Sequence, residues 1–288
     1  MKSQTIFVAG LLSLAVRSLA AEAPQVDKSQ FHLFNATPRE LLREMSTDRP
    51  DQTESAYTVD AGHFQIEMDV LSYSYDRYNP DRTNTRVESV GIAPMNLKLG
   101  LLNNMDLQLM VDPYTSVRIH DLATGVVEKH RGFGDVTVRA KVNLWGNDGG
   151  TTAFAVMPYL KVPTNQDDLG NHSVEGGIIA PLAVALPKDW SMGVMTQLDI
   201  IRDSFGDGHH PEFVNTVTFS HDIVGKLAGY VEFFSVVSTE ADSDWIGMVD
   251  CGLTYALTDD IQLDCGINIG VTRAAEDINP FIGFAWRF

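Results

Sequence analysis

From Gly62 to the C-terminus, apolar residues occupy every second position in about twelve successive segments. FQIEMDV (64–70) shows the pattern, and DVTVRAKVNLW (135–145) repeats it. A side-chain period of two is the period of a β-strand, and segments of about ten residues fit strands that cross a bilayer at a tilt. The alternation therefore predicts an all-β chain built from long strands.

The links between these segments alternate in length. Short links such as GNDGGT (146–151) and TDD (258–260) follow even-numbered segments, whereas long links such as the stretch from Asp112 to Gly132 follow odd-numbered ones. One short-loop end and one long-loop end are typical of outer-membrane barrels. We predict a transmembrane antiparallel up-and-down β-barrel of about 12 strands over residues 61–288, with both termini on the periplasmic side.

The residues before the barrel fall into two parts. Residues 1–21 combine Lys2, a short apolar stretch at 6–16 and a small-residue cleavage site, as in a secretory signal peptide. Residues 22–60 form an N-terminal segment with a short helix predicted at 37–45, in which Thr37 is the N-cap, Pro38 the first helical residue and Glu40 the capping-box residue. The charged stretch STDRPDQTES (46–55) is predicted to be extended or irregular.

The net charge restricts the partners. Loss of the basic residues Lys2 and Arg17 with the signal peptide leaves 19 basic against 38 acidic residues. Nucleic acids and anionic lipid surfaces attract Lys and Arg, so this balance argues against both as ligands.

Alternation alone does not show which row of side chains faces outward. A soluble lipocalin-like barrel would place the apolar row inside. Here the strands are long, aromatic residues such as Phe64, Trp190 and Trp245 lie near the ends of the apolar rows, and the other row mixes small residues with charges of both signs. These features favour an apolar row that contacts the lipid of the outer membrane.

Two stretches resemble known proteins. Gly283, Trp286 and Phe288 resemble the C-terminal signal by which the barrel-assembly machinery recognises bacterial outer-membrane proteins. Residues 46–51, 53–55, 57–59 and 62–67, together with GFGD (132–135) and KVPT (161–164), are similar to the outer-membrane transporter family named for the MetA pathway of phenol degradation. The resemblance covers roughly residues 46–288 and implies transport of small molecules, including hydrophobic or aromatic ones.

If the apolar row faces lipid, the opposite row lines the lumen. The predicted lumen-lining residues are Glu67, Asp69, Lys98, Asp135, Arg139, Lys141, Lys161, Glu175, Asp199, Glu232, Asp250, Asp264 and Arg287. Ionisable groups inside a membrane barrel are costly unless they are paired or hydrated. They form either a structural ion-pair network or a narrow polar conduit, and the two interpretations are compatible.

The N-terminal segment also has two interpretations. It is a flexible periplasmic tail, or residues 46–55 fold into the lumen as a plug. In the second case Asp48, Arg49, Asp51 and Glu54 pair with charges on the wall.

No other motif indicates chemistry. Asp203, Asp207, His209, His210 and Glu212 could ligate a metal, but their spacing matches no defined site, so a hydrophilic loop is the prediction and no metal or cofactor is expected. No nucleophile motif accompanies the histidines, and the chain is predicted not to be an enzyme.

The leading hypothesis is an outer-membrane channel for passive passage of a small-molecule solute. The alternative is a structural or partner-binding barrel with a plugged, non-conducting lumen.

The two cysteines test the strand register. If the TDD turn pairs Leu257 with Ile261, Cys251 lies opposite Ile267 and Cys265 lies opposite Leu253. Diagonal neighbours are about 7–8 Å apart, beyond disulfide reach. Free, buried thiols are predicted.

Overall fold

A computed structural model describes residues 27–77 and 84–288. The predicted signal peptide, residues 1–21, lies outside these ranges. Within them, one 3-10 turn and fifteen β-segments are present. The segments are β1 (Phe64–Asp76), β2 (Thr85–Ile92), β3 (Met95–Leu102), β4 (Met105–Val111), β5 (Tyr114–Asp121), β6 (Val127–Gly132), β7 (Val136–Trp145), β8 (Thr152–Val162), β9 (Glu175–Ala185), β10 (Trp190–Arg202), β11 (His209–Val224), β12 (Leu227–Ser238), β13 (Ile246–Thr258), β14 (Ile261–Gly270) and β15 (Ile278–Arg287).

The sheet closes on itself. Neighbouring strands are antiparallel, and β15 returns to pair with β1, where Ile66 lies opposite Trp286. Phe64 and Phe288 complete the seam with two backbone hydrogen bonds of 3.1 and 2.9 Å and with rings whose centroids lie 5.8 Å apart. A closed barrel leaves no unpaired edge, which a membrane requires because lipid offers the backbone no hydrogen bonds.

The fifteen segments form twelve barrel strands, as predicted. β1 pairs with β3 through Phe64–Met68 and with β2 through Leu71–Asp76, so β2 and β3 are two halves of one strand. β4 with β5, and β6 with β7, are divided in the same way. The first two breaks contain Pro94 and Pro113, which have no backbone N–H to give to a ladder.

The two faces of the wall differ in polarity as predicted. Trp286 on the outer face is 45% exposed, whereas the adjacent Arg287 on the inner face is 6% exposed. Large apolar side chains are exposed along the outer face of most strands, and buried side chains of the inner face include Gln65, Lys98 and Asp250. This inverted arrangement is that of a membrane barrel and not of a soluble one.

One predicted loop is a strand pair. The stretch from Asp112 to Gly132 contains β5 and β6, which pair with each other and, through β5, with β2. They extend the wall at the long-loop end, in place of the predicted long connection. No helix among the described residues is long and apolar enough to cross a membrane.

The predicted helix at 37–45 is wrong. Only Arg39–Leu41 forms a 3-10 turn, Pro38 precedes it without a side-chain cap, and Leu42 is already extended. The Arg43 N–H donates to Asp60 Oδ2 at 3.0 Å instead of closing a helical turn. These tertiary contacts replace helical hydrogen bonds that a segment this short could not sustain alone.

The cysteines are free, as predicted, and Cys251 pairs with Ile267 and Cys265 with Leu253. A bulge after Ala256 makes Thr258 and not Leu257 the partner of Ile261. Cys265 is exposed on the outer wall, so the prediction of two buried thiols is wrong.

Candidate functional site

Residues 46–59 cross the interior of the barrel. They have no regular secondary structure, and Thr53, Ala56, Thr58 and Val59 are buried. Their hydrogen-bond and ion-pair partners lie on nine strands of the wall: Gln65, Glu67 and Asp69 on β1, Lys98 on β3, Asp106 on β4, Arg139, Lys141 and Asn143 on β7, Met195 on β10, Thr216 on β11, Tyr230 and Glu232 on β12, Asp250 on β13, and Gln262 and Asp264 on β14. We call residues 46–59 the interior segment.

Asp48 neutralises two buried lysines. Its carboxylate lies 2.5 Å from Lys98 Nζ and 2.5 Å from Lys141 Nζ, and these lysines are 3% and 0% exposed. Lys98 also forms an ion pair with Glu67, whose carboxylate accepts a hydrogen bond from the Asp48 backbone N–H at 2.9 Å. Charges that would be prohibitive alone are thus paired across β1, β3 and β7.

Arg49 bridges the closing seam from inside. Its guanidinium lies 2.6 Å from Asp69 on β1 and 2.6 Å from Asp264 on β14, and it stacks 5.8 Å from the centroid of the Phe281 ring on β15. Farther along the interior segment, Glu54 forms an ion pair with Arg139 on β7. The interior segment therefore forms ion pairs with opposite sides of the wall.

The third contact region is acidic. Gln52 donates from its backbone N–H to Glu232 at 2.7 Å and from its side chain to Asp250 at 2.9 Å, while Thr53 donates to Glu232 and lies 2.6 Å from Thr216 Oγ1. Asp51 is adjacent in the chain, and none of these three carboxylates forms an ion pair within the described residues. Neutral donors of the interior segment, and not basic side chains, therefore bind Glu232 and Asp250.

The other predicted lumen residues do not contact the interior segment. Toward the long-loop end, Asp135 accepts from Thr164 and Asn165, Lys161 pairs with Glu175, and Asp199 accepts from Tyr159 and Gln197. At the short-loop end, Arg287 lies 2.9 Å from Asp260 and donates to the Arg43 carbonyl at 2.8 Å.

An apolar patch on the inner wall was missed by the sequence analysis. Met157, Ile179, Met195 and Val214 are buried together, and Tyr159, Phe234 and Val236 pack against them. All lie on inward positions of the same alternation that gave the charged residues. The period-two alternation therefore places these apolar side chains on the inner face among the charged ones.

Cavities lie on both sides of the interior segment. Toward the long loops, a cavity of about 770 Å³ is lined by apolar residues including Phe234, Val236 and Met248, and by polar residues including Asp76, Glu276 and Gln52 of the interior segment. At the short-loop end, a cavity of about 690 Å³ is lined by polar residues including Arg43, Asp222 and Arg287. Gln52 of the interior segment faces the first cavity, and both cavities have mixed apolar and polar linings.

The chain before the interior segment is tied to the short-loop end. Lys28 and Arg43 lie 3.2 and 3.1 Å from Asp148 Oδ1, and Asn103 donates to Asp148 Oδ2 at 2.7 Å. Partial burial opposes ionisation of Asp148, but the hydrogen bond from Asn103 and the charges of Arg43 and Lys28 outweigh it and lower the pKa of this carboxyl. This cluster anchors the start of the interior segment.

Residues 47–288 match the model of a protein family described as "Putative MetA-pathway of phenol degradation". The chain belongs to this family. The resemblance seen in the sequence is thereby confirmed, and the matched region of this family member begins inside the interior segment. No curated protein sequence matches the chain.

Solved outer-membrane barrels share the fold of this family member. An outer-membrane channel of Pseudomonas putida F1 superposes with a TM-score of 0.60 at 13% identity, covering 84% of this chain and 100% of that one. The NanC porin gives a TM-score of 0.50 at 11% identity, with coverages of 76% and 98%. The translocator domain of the autotransporter NalP from Neisseria meningitidis also gives 0.50, at 9% identity and coverages of 78% and 88%. Similarity at these identities concerns the fold.

Proposed function

We propose that this chain is an outer-membrane channel for passive passage of small apolar or aromatic molecules, and that the interior segment is its plug. The barrel fold, the family description and the inner apolar patch support this function. Neither a catalytic residue nor a cofactor has a part in it.

The observation that carries the proposal is the position of the interior segment. It lies between a cavity of mixed lining near the long loops, the apolar part of which is formed by Phe234, Val236, Ile246 and Met248, and a cavity at the short-loop end. A solute that partitions into the apolar part of the first cavity must displace residues 46–59 to proceed. Because hydrogen bonds and ion pairs hold these residues to nine of the strands, the plug closes the resting barrel, and passage requires it to shift.

The lengths of the turns give the proposed orientation in the membrane. Short turns are on the periplasmic side of outer-membrane barrels, so we place both termini in the periplasm and the cavity near the long loops toward the exterior. Gly283, Trp286 and Phe288 are proposed as the signal for the barrel-assembly machinery, with the outer wall in contact with lipid.

A flux assay on the reconstituted full chain tests the channel and the plug together. Liposomes containing the protein are loaded with a phenolic solute or with a sugar of similar size, and release is followed over time. The double variant Asp48→Asn with Arg49→Gln removes the two main anchors of the plug. Asp189→Asn with Arg273→Gln removes the same charges from exposed turns and is the matched control.

We expect phenolic release through the wild-type protein to exceed that from protein-free liposomes, and release to rise several-fold in the plug variant but not in the control. Equal release with and without the protein, in every variant, would contradict the channel and favour the alternative, a structural or partner-binding barrel. Release that is unchanged by the plug variant would contradict the plug alone.

A further inference from the structure

Three metal-ligating side chains meet at the long-loop rim of the barrel. Asp203 follows β10, His210 lies at the start of β11, and Glu240 follows β12, and their ligand atoms all lie within 4.8 Å of one another. Glu240 comes from a different loop from the other two. The set therefore differs from the single-loop cluster at 203–212 that the sequence suggested.

The imidazole of His210 is the centre of the group. It is 8% exposed, its Nδ1 lies 2.9 Å from Asp203 Oδ1, and its Nε2 lies 3.4 Å from Glu212 Oε1. The Glu240 carboxylate is fixed in place because it accepts hydrogen bonds from the Ser204 N–H at 2.6 Å and the Ser204 hydroxyl at 2.9 Å. These contacts orient one nitrogen and several carboxylate oxygens toward one another.

The charge of this group is not balanced by a basic side chain. Three carboxylates surround one imidazole, and none of the three forms an ion pair with a Lys or Arg within the described residues. Arg202 lines the same cavity of about 520 Å³, but its guanidinium lies 3.3 Å from Asp207 and donates to the Asn171 carbonyl at 3.1 Å. A cation of small size would offset the excess negative charge.

We propose that Asp203, His210 and Glu240 bind a divalent transition-metal ion of the Zn²⁺ type. A mixture of imidazole nitrogen and carboxylate oxygen suits such ions, whereas Ca²⁺ and Mg²⁺ take oxygen ligands. The His210 nitrogen that faces Asp203, Nδ1, is the metal ligand. The other ring nitrogen, Nε2, keeps its N–H directed at Glu212, and this contact holds the ring in place.

The metal takes the place of a proton on the nitrogen that faces Asp203, so binding requires that nitrogen to be deprotonated. The bound ion would join the loop between β10 and β11 to the loop between β12 and β13. This site does not depend on the proposed channel function.

Titration calorimetry of the full chain in detergent micelles, without an affinity tag, tests the site with ZnCl₂ as the probe. We expect one saturable site. His210→Gln and Glu240→Gln are expected to weaken binding at least about tenfold.

The controls are His209→Gln and Asp242→Asn, which change neighbouring exposed residues of the same types and should leave the affinity unchanged. Heat-modifiable migration on gels shows that each variant is folded, and the two ligand variants on separate loops provide independent tests. Absence of saturable Zn²⁺ binding to the wild-type protein would overturn the proposal. So would an equal loss of affinity in His209→Gln and His210→Gln.

Discussion

At the scale of single residues, Asp48 has the largest electrostatic role in the interior. Its carboxylate forms ion pairs with Lys98 and Lys141, both of which are buried. Removal of one member of a buried ion pair leaves the partner charge without compensation, which costs more than the pair itself contributes. Lys98 keeps Glu67 as a second partner, but Lys141 has no other ion pair in the described part of the chain.

We therefore expect Asp48→Asn to lower the free energy of unfolding by about 3–5 kcal/mol, because it leaves Lys141 buried and unpaired. Urea unfolding of the protein in lipid vesicles measures this change. Asp189→Asn, on an exposed turn, is the matched control and is expected to stay within about 0.5 kcal/mol of wild type. Equal unfolding curves for the two variants would contradict the role assigned to Asp48.

Asp148 gives a pH-dependent prediction. Its pKa is lowered in the folded protein from the ordinary value of 3.8, so its contribution to stability is complete above that value and is lost as the pH falls through the folded pKa. Asp148→Asn should cost about 1–2 kcal/mol near pH 7, since it weakens hydrogen bonds to a charged group.

The difference in unfolding free energy between wild type and Asp148→Asn should shrink as the pH falls below 3.8 and vanish below the folded pKa. Unfolding curves from pH 2 to pH 7 measure it. A difference that persists unchanged at the lowest pH would show that the cost arises from packing and not from the charge.

The pairing of these residues could not be predicted from sequence. Asp48 reaches a partner 93 positions away and Arg49 one 215 positions away. Alternation assigned Lys141 and Asp264 to the inner face, because period two alone decides the face of a strand residue. It gives no information on which inner residue a non-repeating segment will contact.

At the scale of elements, the seam between β1 and β15 closes the barrel. Phe288 exchanges backbone hydrogen bonds with Phe64 and stacks on it, and its ring centroid lies 5.0 Å from that of Trp286. These aromatic contacts are on the outer face, at the end of the last strand. The final residue therefore contributes to closure as well as to the proposed assembly signal.

Phe288→Ser should reduce the yield of folded barrel in the outer membrane several-fold, because it removes an aromatic contact at the seam and the terminal group of the signal. The measurement is the heat-modifiable fraction in isolated outer membranes. Phe205→Ser changes a loop aromatic that is 92% exposed and is the control. Equal yields from the two variants would contradict this role.

The elements that sequence analysis predicted well are those with a long, uninterrupted alternation. β7 and β15 are clear examples, since the face of the sheet that each side chain occupies follows from its position. The prediction of a loop from Asp112 to Gly132 is wrong because Pro113 and the glycines are typical of loops, whereas here they only interrupt a strand. The predicted helix at 37–45 is absent because Arg43 forms hydrogen bonds at the short-loop end, and local helix propensity takes no account of such tertiary contacts.

At the scale of the whole molecule, apolar side chains line part of an interior that is otherwise polar and charged. The interior segment and its paired charges occupy the centre, and the partly apolar cavity lies between them and the long loops. A uniformly charged lumen would exclude apolar solutes. An apolar lining above a displaceable polar plug would concentrate them before passage.

The cavity residue Met248 tests the role of the apolar lining. Met248→Gln keeps the size of the side chain but adds an amide, which should weaken partitioning of an aromatic solute by about 1 kcal/mol, or roughly fivefold. Release of the phenolic solute from liposomes should fall accordingly, while sugar release should not, because a sugar gains nothing from the apolar wall. The sugar measured in the same vesicles is the control for the amount and orientation of the protein. If both solutes slow equally, Met248 affects the barrel as a whole, and this cavity is not the site that selects the solute.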